Sequence, residues 1–280
     1  MQSERTLWRS RSLSTILITG AAGGVGTLMR PRLARPGRTL RLLDIAPLEP
    51  AGEGEETVRA SITDLEAMTR ACDGVEAVIH LGGISLEAPW AQIIDVNING
   101  TYTVFEAARR AGVPRVIFAS SNHVVGFHTP DEFPLSEATI PLPDTYYGVS
   151  KVAGEGIGAL YAKRYGLDVI SIRILSCFPK PRSLRMLSTW LSPDDGARLL
   201  EACLTVEKPG YRVVYGVSAN TRGGWVSLDE ARALGYEPKD DSEAYAAELI
   251  ARDGEPDPGD PVFTYLGGDF TLPKLNAENL

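Results

Sequence analysis

The chain has 280 residues, above the usual size of a single domain but within reach of one large α/β domain with additions. Its 44% hydrophobic and 23% charged residues are ordinary globular composition and exclude wholesale disorder. The formal net charge of −8 lacks the basic signature of a nucleic-acid partner, and an anionic ligand would need local positive charge to bind.

Residues 1–13 are basic and serine-rich without the apolar stretch of a secretory signal, and are expected to form a flexible leader. From residue 14 onward, strand and helix patterns alternate. Apolar β-type runs predict strands at 14–20, 38–44, 56–61, 76–82, 115–121 and 168–174. Helical patterns fall at Val25–Ala34, Asp64–Ala71, Pro89–Ala111 and Tyr146–Tyr165. Near-continuous apolar strands separated by helices imply a parallel sheet covered on both faces. Right-handed crossovers make this a doubly wound α/β sheet of the Rossmann type. Residues 14–175 read as the doubly wound domain. Residues 176–280 read as a small substrate-binding cap interleaved with it. In that part a capped helix begins near Ser192 or Asp194, and a strand is expected at 212–219. The last forty residues, with their Pro, Gly and Asp clusters, are expected to wrap the surface. No apolar run reaches the ~20 residues of a membrane helix, so no membrane partner is expected. Cys72, Cys177 and Cys203 lack metal or CxxC spacing, which argues against a disulfide framework or metal site and for a reducing cytoplasm.

The chemistry starts directly after the first strand. Gly20-Ala-Ala-Gly23-Gly24-Val25-Gly26 opens a helix, and glycines there permit a tight turn and close approach of backbone to a pyrophosphate. The free N–H groups of the helix start then meet the phosphates. Asp44 ends the second strand, where a carboxylate accepts hydrogen bonds from the adenosine ribose. Ile45, Ala46 and Pro47 follow it, with no arginine among them to cradle a 2′-phosphate, and a carboxylate repels one. NAD is expected rather than NADP.

The helix of residues 146–165 starts with Tyr147-Gly-Val-Ser-Lys151. Positions i and i+4 share a helix face, so the Lys151 ammonium is expected to lower the Tyr147 pKa and favour the phenolate, a general base. Tyr146 has no lysine four residues on and is expected only to pack. Ser121 ends the fifth strand at the carboxyl edge of the sheet, where such folds bind ligands. His123 has no second ligand at metal spacing, so a hydrogen-bonding role is expected.

The glycine-rich turn, Asp44, Ser120-Ser121 and Tyr147-x-x-x-Lys151 together resemble the extended short-chain dehydrogenase/reductase family, the NAD-dependent epimerases and dehydratases. The resemblance implies that Ser121, Tyr147 and Lys151 are catalytic, with Ser121 holding the reacting oxygen. It also places a pair at the end of the third strand against adenine. Here that pair is Ser61-Ile62 where the family usually carries an aspartate and an aliphatic residue. The family likeness further implies a homodimer, or a multiple of it, built on helices 89–111 and 146–165.

Within that family, LGGIS (81–85), FASSNHVVG (118–126), LSC (175–177) and RMLSTW (185–190) resemble the uronate dehydrogenases. This likeness implies oxidation of C1 of glucuronate or galacturonate to a lactone. By it, Leu81, Gly82, Gly83 and Ser176 would line the cofactor, and Ser85, Ser121, Asn122, His123, Tyr147 and Ser176 would meet the sugar. Arg185 would bind the C6 carboxylate, a match of guanidinium fork to carboxylate. Two other readings stay open: a nucleotide-sugar epimerase or dehydratase that recycles its NAD, and a non-enzymatic dinucleotide sensor. The short stretch after Lys151 favours a free sugar acid over a nucleotide sugar.

Overall fold

The computed structural model describes residues 14–257 and 259–272. The expected leader, residues 1–13, lies outside the described residues. Strands β1 (Thr15–Thr19), β2 (Thr39–Asp44), β3 (Glu55–Arg59), β4 (Ala77–His80), β5 (Arg115–Ser121) and β6 (Asp168–Ile174) fall where the apolar runs predict them. β7 (Ser176–Cys177) pairs with β8 (Trp190–Leu191), and β9 is Tyr211–Gly216. The main sheet is parallel, in the order β3-β2-β1-β4-β5-β6-β9. The order reverses direction at β1, and the crevice beside that switch is where α/β sheets of this kind bind ligands.

Helices cover both faces. On one face α1 (Gly24–Leu33) packs beside the helix Pro193–Thr205, with Met29, Leu33, Leu199 and Cys203 in one buried cluster. On the other, α2 (Leu65–Ala71), α3 (Gly100–Arg110) and α4 (Tyr146–Tyr165) cover a second cluster that includes Val78, Phe105, Phe118 and Tyr161. β9 and the helix Pro193–Thr205 thus finish the doubly wound sheet using residues beyond 175. Ser192 caps that helix through a hydrogen bond from Asp195 N.

The expected helix Pro89–Ala111 is not uniform. A single α-turn, Trp90–Gln92, runs into a π-helical stretch, Ile93–Asn99, before α3. Its hydrophobic spacing reads as plain α-helix because one widened turn hardly shifts the buried face. The deviation has a visible use: Asn97 grips the Ile84 backbone from both sides. Ile84 N donates to Asn97 Oδ1 at 2.8 Å, and Asn97 Nδ2 donates to Ile84 O at 2.9 Å.

The last segment also departs from expectation. Residues 265–272 do more than wrap the surface. Leu266 is fully buried, and its N–H bonds His128 O while Gly267 N bonds Gly126 O. This strap crosses the carboxyl end of β5.

Candidate active site

The glycine-rich turn has the shape a dinucleotide needs. Gly20 takes φ +71°, and a Cβ there would lie 2.6 Å from Gly82 N, so the two strand ends meet only because Gly20 is bare. A Cβ at Gly26 would run into Gly20 O and Ala21, whereas at Gly24 it would meet nothing within 4 Å. The turn is therefore packed beneath and open above. Gly23 caps α1 without a side chain, leaving the first N–H groups facing outward. Beside the turn lies a small apolar recess walled by Val25, Leu81, Ala119, Ile174 and Cys177.

Asp44 leans over the turn. Its Oδ2 accepts from Ala22 N and its Oδ1 from Ala46 N, both at 2.9 Å, so each oxygen keeps acceptor capacity for a ribose hydroxyl. These features fit a bound NAD. An arginine does stand nearby: Arg59 is opposite Asp44 in the β2–β3 register, with Nε on Ile45 O. The residues following Asp44 give no sign of it, because the neighbour comes from the next strand. Ser61 spends its hydroxyl locally on Thr63, at 2.8 Å, and Ile62 is buried near Gly82 and Gly100.

Tyr147, Lys151 and Ser121 converge at the ends of β5 and α4, and all three are buried. Thr145 caps α4 by accepting from Gly148 N. Lys151 Nζ donates to Ala119 O at 2.8 Å and lies 5.4 Å from the centre of the Tyr147 ring. Burial pushes the Tyr147 phenol up to about 12, Ser121 works against it, and Asp144 adds to the rise. Burial also holds Lys151 down to about 8. The expectation that Lys151 by itself depresses the tyrosine pKa therefore needs correction. Burial is the largest influence on the phenol and outweighs the lowering by Ser121.

Of the residues expected to meet the sugar, Asn122, His123 and Arg185 gather around residues 266–270. Asn122 is buried, with Nδ2 on Leu266 O. His123 bonds Asp144 through Nδ1 at 2.6 Å, stacks on Phe270 at 3.9 Å, and meets the Tyr147 ring edge-on at 5.7 Å. Ser176 pairs with Thr189, hydroxyl to hydroxyl, at 3.0 Å. Arg185 bonds Leu266 O through Nη2, lies 5.5 Å from the Trp225 ring, and leaves Nε buried without an acceptor. Burial holds Arg185 down to about 10, although Asp269 and Asp144 pull the other way. A partly desolvated guanidinium with an unsatisfied nitrogen is poised for an anion. Ser85 is exposed on the loop after β4, apart from these buried groups. Gly83 on that loop takes φ +145° beside Asn97.

Residues 16–190 match the NAD dependent epimerase/dehydratase family. This chain is a member of that family. Among family relatives, it is 46% identical over 259 residues to a uronate dehydrogenase of Pseudomonas syringae pv. tomato, covering 91% of this chain and 92% of the relative. A uronate dehydrogenase from Agrobacterium tumefaciens, solved as a point mutant with NAD, superposes with TM-score 0.88 at 42% identity, covering 93% and 97% of the two chains. An NAD-dependent glucose-6-phosphate dehydrogenase of Haloferax volcanii is 39% identical, covering 86% of this chain and 97% of its own length. This family member uses NAD. No helix among the described residues is long and apolar enough to cross a membrane, and no described group of His, Cys, Asp or Glu could hold a metal ion.

Sequence reasoning did not find Glu87, Asp144, Leu266 or Phe270. Glu87 accepts from Tyr146 N and Tyr147 N, fixing the start of α4 to the loop that carries Ser85. The other three adjoin His123 or Arg185 only after distant segments fold together. No spacing signal announces them.

Proposed function

We propose that this chain is an NAD-dependent uronate dehydrogenase that oxidises C1 of a free hexuronic acid to the lactone. The observation that carries the reading is Arg185, whose buried Nε has no acceptor and whose Nη2 bonds the same Leu266 carbonyl as Asn122, the neighbour of Ser121. A sugar with an anion at C6 and a reactive C1 has charge and chemistry at opposite ends, and this site offers partners for both. Identity to the uronate dehydrogenase at 46% exceeds that to the glucose-6-phosphate dehydrogenase at 39%, which favours a carboxylate over a phosphate.

Gly20, Gly23, Gly24, Val25 and Gly26 would hold the pyrophosphate, Asp44 the adenosine ribose, and Ser61 and Ile62 the adenine edge. Leu81, Gly82, Gly83 and Ser176 would border the nicotinamide end. NAD, when bound, accepts the hydride from C1. Ser121 holds the C1 oxygen, and Tyr147 takes the hydroxyl proton as phenolate. Lys151 keeps its positive charge near that phenolate and holds the nicotinamide ribose. Ser85, Asn122 and His123 meet ring hydroxyls, and Arg185 pairs with the carboxylate. The oxidised ring is already a lactone, so no second base is needed.

Unpaired Cys72, Cys177 and Cys203 fit a reducing cytoplasm. Tyr102, Leu160 and Tyr165 stand exposed on α3 and α4, which supports a homodimer joined through those helices. The test is absorbance at the NADH band with glucuronate as the only sugar. Stoichiometric NADH is expected. An epimerase or dehydratase that recycles its cofactor would change the sugar with no net NADH.

A further inference from the structure

We propose that Asp144 is a positioning residue: its buried carboxylate fixes the His123 proton on Nδ1, so that Nε2 is presented as a hydrogen-bond acceptor for a ring hydroxyl of the sugar acid. The inference deepens the uronate reading and rests on it for the identity of the sugar.

The hydrogen-bond inventory sets the tautomer. The Asp144 side chain is fully buried, with Oδ2 on His123 Nδ1 at 2.6 Å and Oδ1 accepting from Thr145 Oγ1 at 2.9 Å. An ionised carboxylate only accepts, so the proton of the His123 contact belongs to the imidazole. The other two histidines use both ring nitrogens. His80 bonds Thr19 and Thr101, and His128 bonds Glu132 and Ile140 O. Among the described residues, His123 alone leaves Nε2 without a partner. Its ring cannot swing to find one, since Phe270 stacks on its face and the Tyr147 ring meets it edge-on.

The backbone keeps room for this carboxylate. Gly126 and Gly267 have φ −64° and −71°, which any residue adopts, so neither needs glycine for its own conformation. A Cβ at either position would run into Asp144 Oδ2, while one at Gly148 would run into His123 O, at 2.4 Å, before it neared Oδ1. Two separate segments, at Gly126 and Gly267, stay bare around one side chain. A neutral Nε2 lone pair suits a hydroxyl donor, and the wrong tautomer would present an N–H there instead.

The experiment is a double-mutant cycle on the full chain with Asp144→Asn, His123→Ala and the pair, read as NADH formation with glucuronate. Asp144→Asn should lower kcat/KM for the sugar acid at least tenfold while leaving KM for NAD unchanged. The double variant should be no worse than His123→Ala alone, because Asp144 acts through that ring. Losses that multiply would mean Asp144 merely supports the fold, and would overturn the proposal. A second readout needs no substrate. Imidazole ¹⁵N spectra of the ligand-free protein, with His123→Ala for assignment among three histidines, should show His123 as the Nδ1–H tautomer, shifting toward Nε2–H in Asp144→Asn. An Nε2–H tautomer in the wild type would also overturn it. If the wild type oxidises no uronate, the functional reading fails while the spectra still decide the dyad.

Discussion

The Ser121 hydroxyl lowers the pKa of the Tyr147 phenol, opposing the burial that pushes it up to about 12. In the proposed mechanism that hydroxyl also holds the reacting oxygen. The sign of the pH effect follows. With phenolate as the proposed active form, log kcat/KM should rise with pH through the neutral range. Ser121→Ala removes a pKa-lowering contact and should move that rising limb to higher pH. A pH–rate profile of the two proteins checks this. A limb unmoved in Ser121→Ala, or a rate falling from pH 6 to 8, would remove Tyr147 from the base role. Tyr147→Phe should lose ~10²–10⁴ in turnover with NAD binding retained.

Asp44→Ala should weaken NAD binding and admit NADP. The carboxylate is the repulsive element, and with it gone Arg59, opposite in the β2–β3 register, is free to meet a 2′-phosphate. Steady-state kinetics with both cofactors measure the ratio. It should fall at least tenfold in Asp44→Ala and be partly restored in Asp44→Ala/Arg59→Ala. An unchanged ratio would locate the discrimination elsewhere.

A dimer through α3 and α4 would cover Tyr102 and Tyr165, two tyrosines that a monomer leaves about half exposed. Light scattering at micromolar concentration should report a dimer or a multiple of it. Tyr102→Glu with Tyr165→Glu should shift the mass toward monomer. A wild-type protein of monomer mass alone would reject the arrangement.

Most of the sheet was legible in the sequence because each apolar run had one place to go. β1, β4, β5 and β6 are buried on both faces and read as continuous hydrophobic strings. The cofactor turn and the Tyr147–Lys151 pair were legible for a related reason: their geometry is local. What the sequence hid is what long-range folding makes. Asn97 reads as one more polar helix position, and only the π-turn brings it onto Ile84. Leu266 and Phe270 lie in a segment whose Pro, Gly and Asp clusters give no period, yet they seat Arg185, Asn122 and His123. The tyrosine pKa was hidden too, because helix spacing reveals the lysine but not the dryness around both groups.

The central claim is that Arg185 reads a carboxylate at C6. Its direct test is kcat/KM, by NADH formation, for glucuronate, galacturonate, glucose 6-phosphate and glucose, in the wild type and in Arg185→Ala. Truncating one partner of a buried charged pair costs about 2–5 kcal/mol, or roughly thirty- to several-thousand-fold in kcat/KM. The wild type should prefer the uronates over both glucose and its phosphate. Arg185→Ala should lose that preference by lowering the uronate rates alone, with glucose little changed. Equal losses on uronate and glucose, or a wild type that prefers glucose 6-phosphate, would contradict the claim.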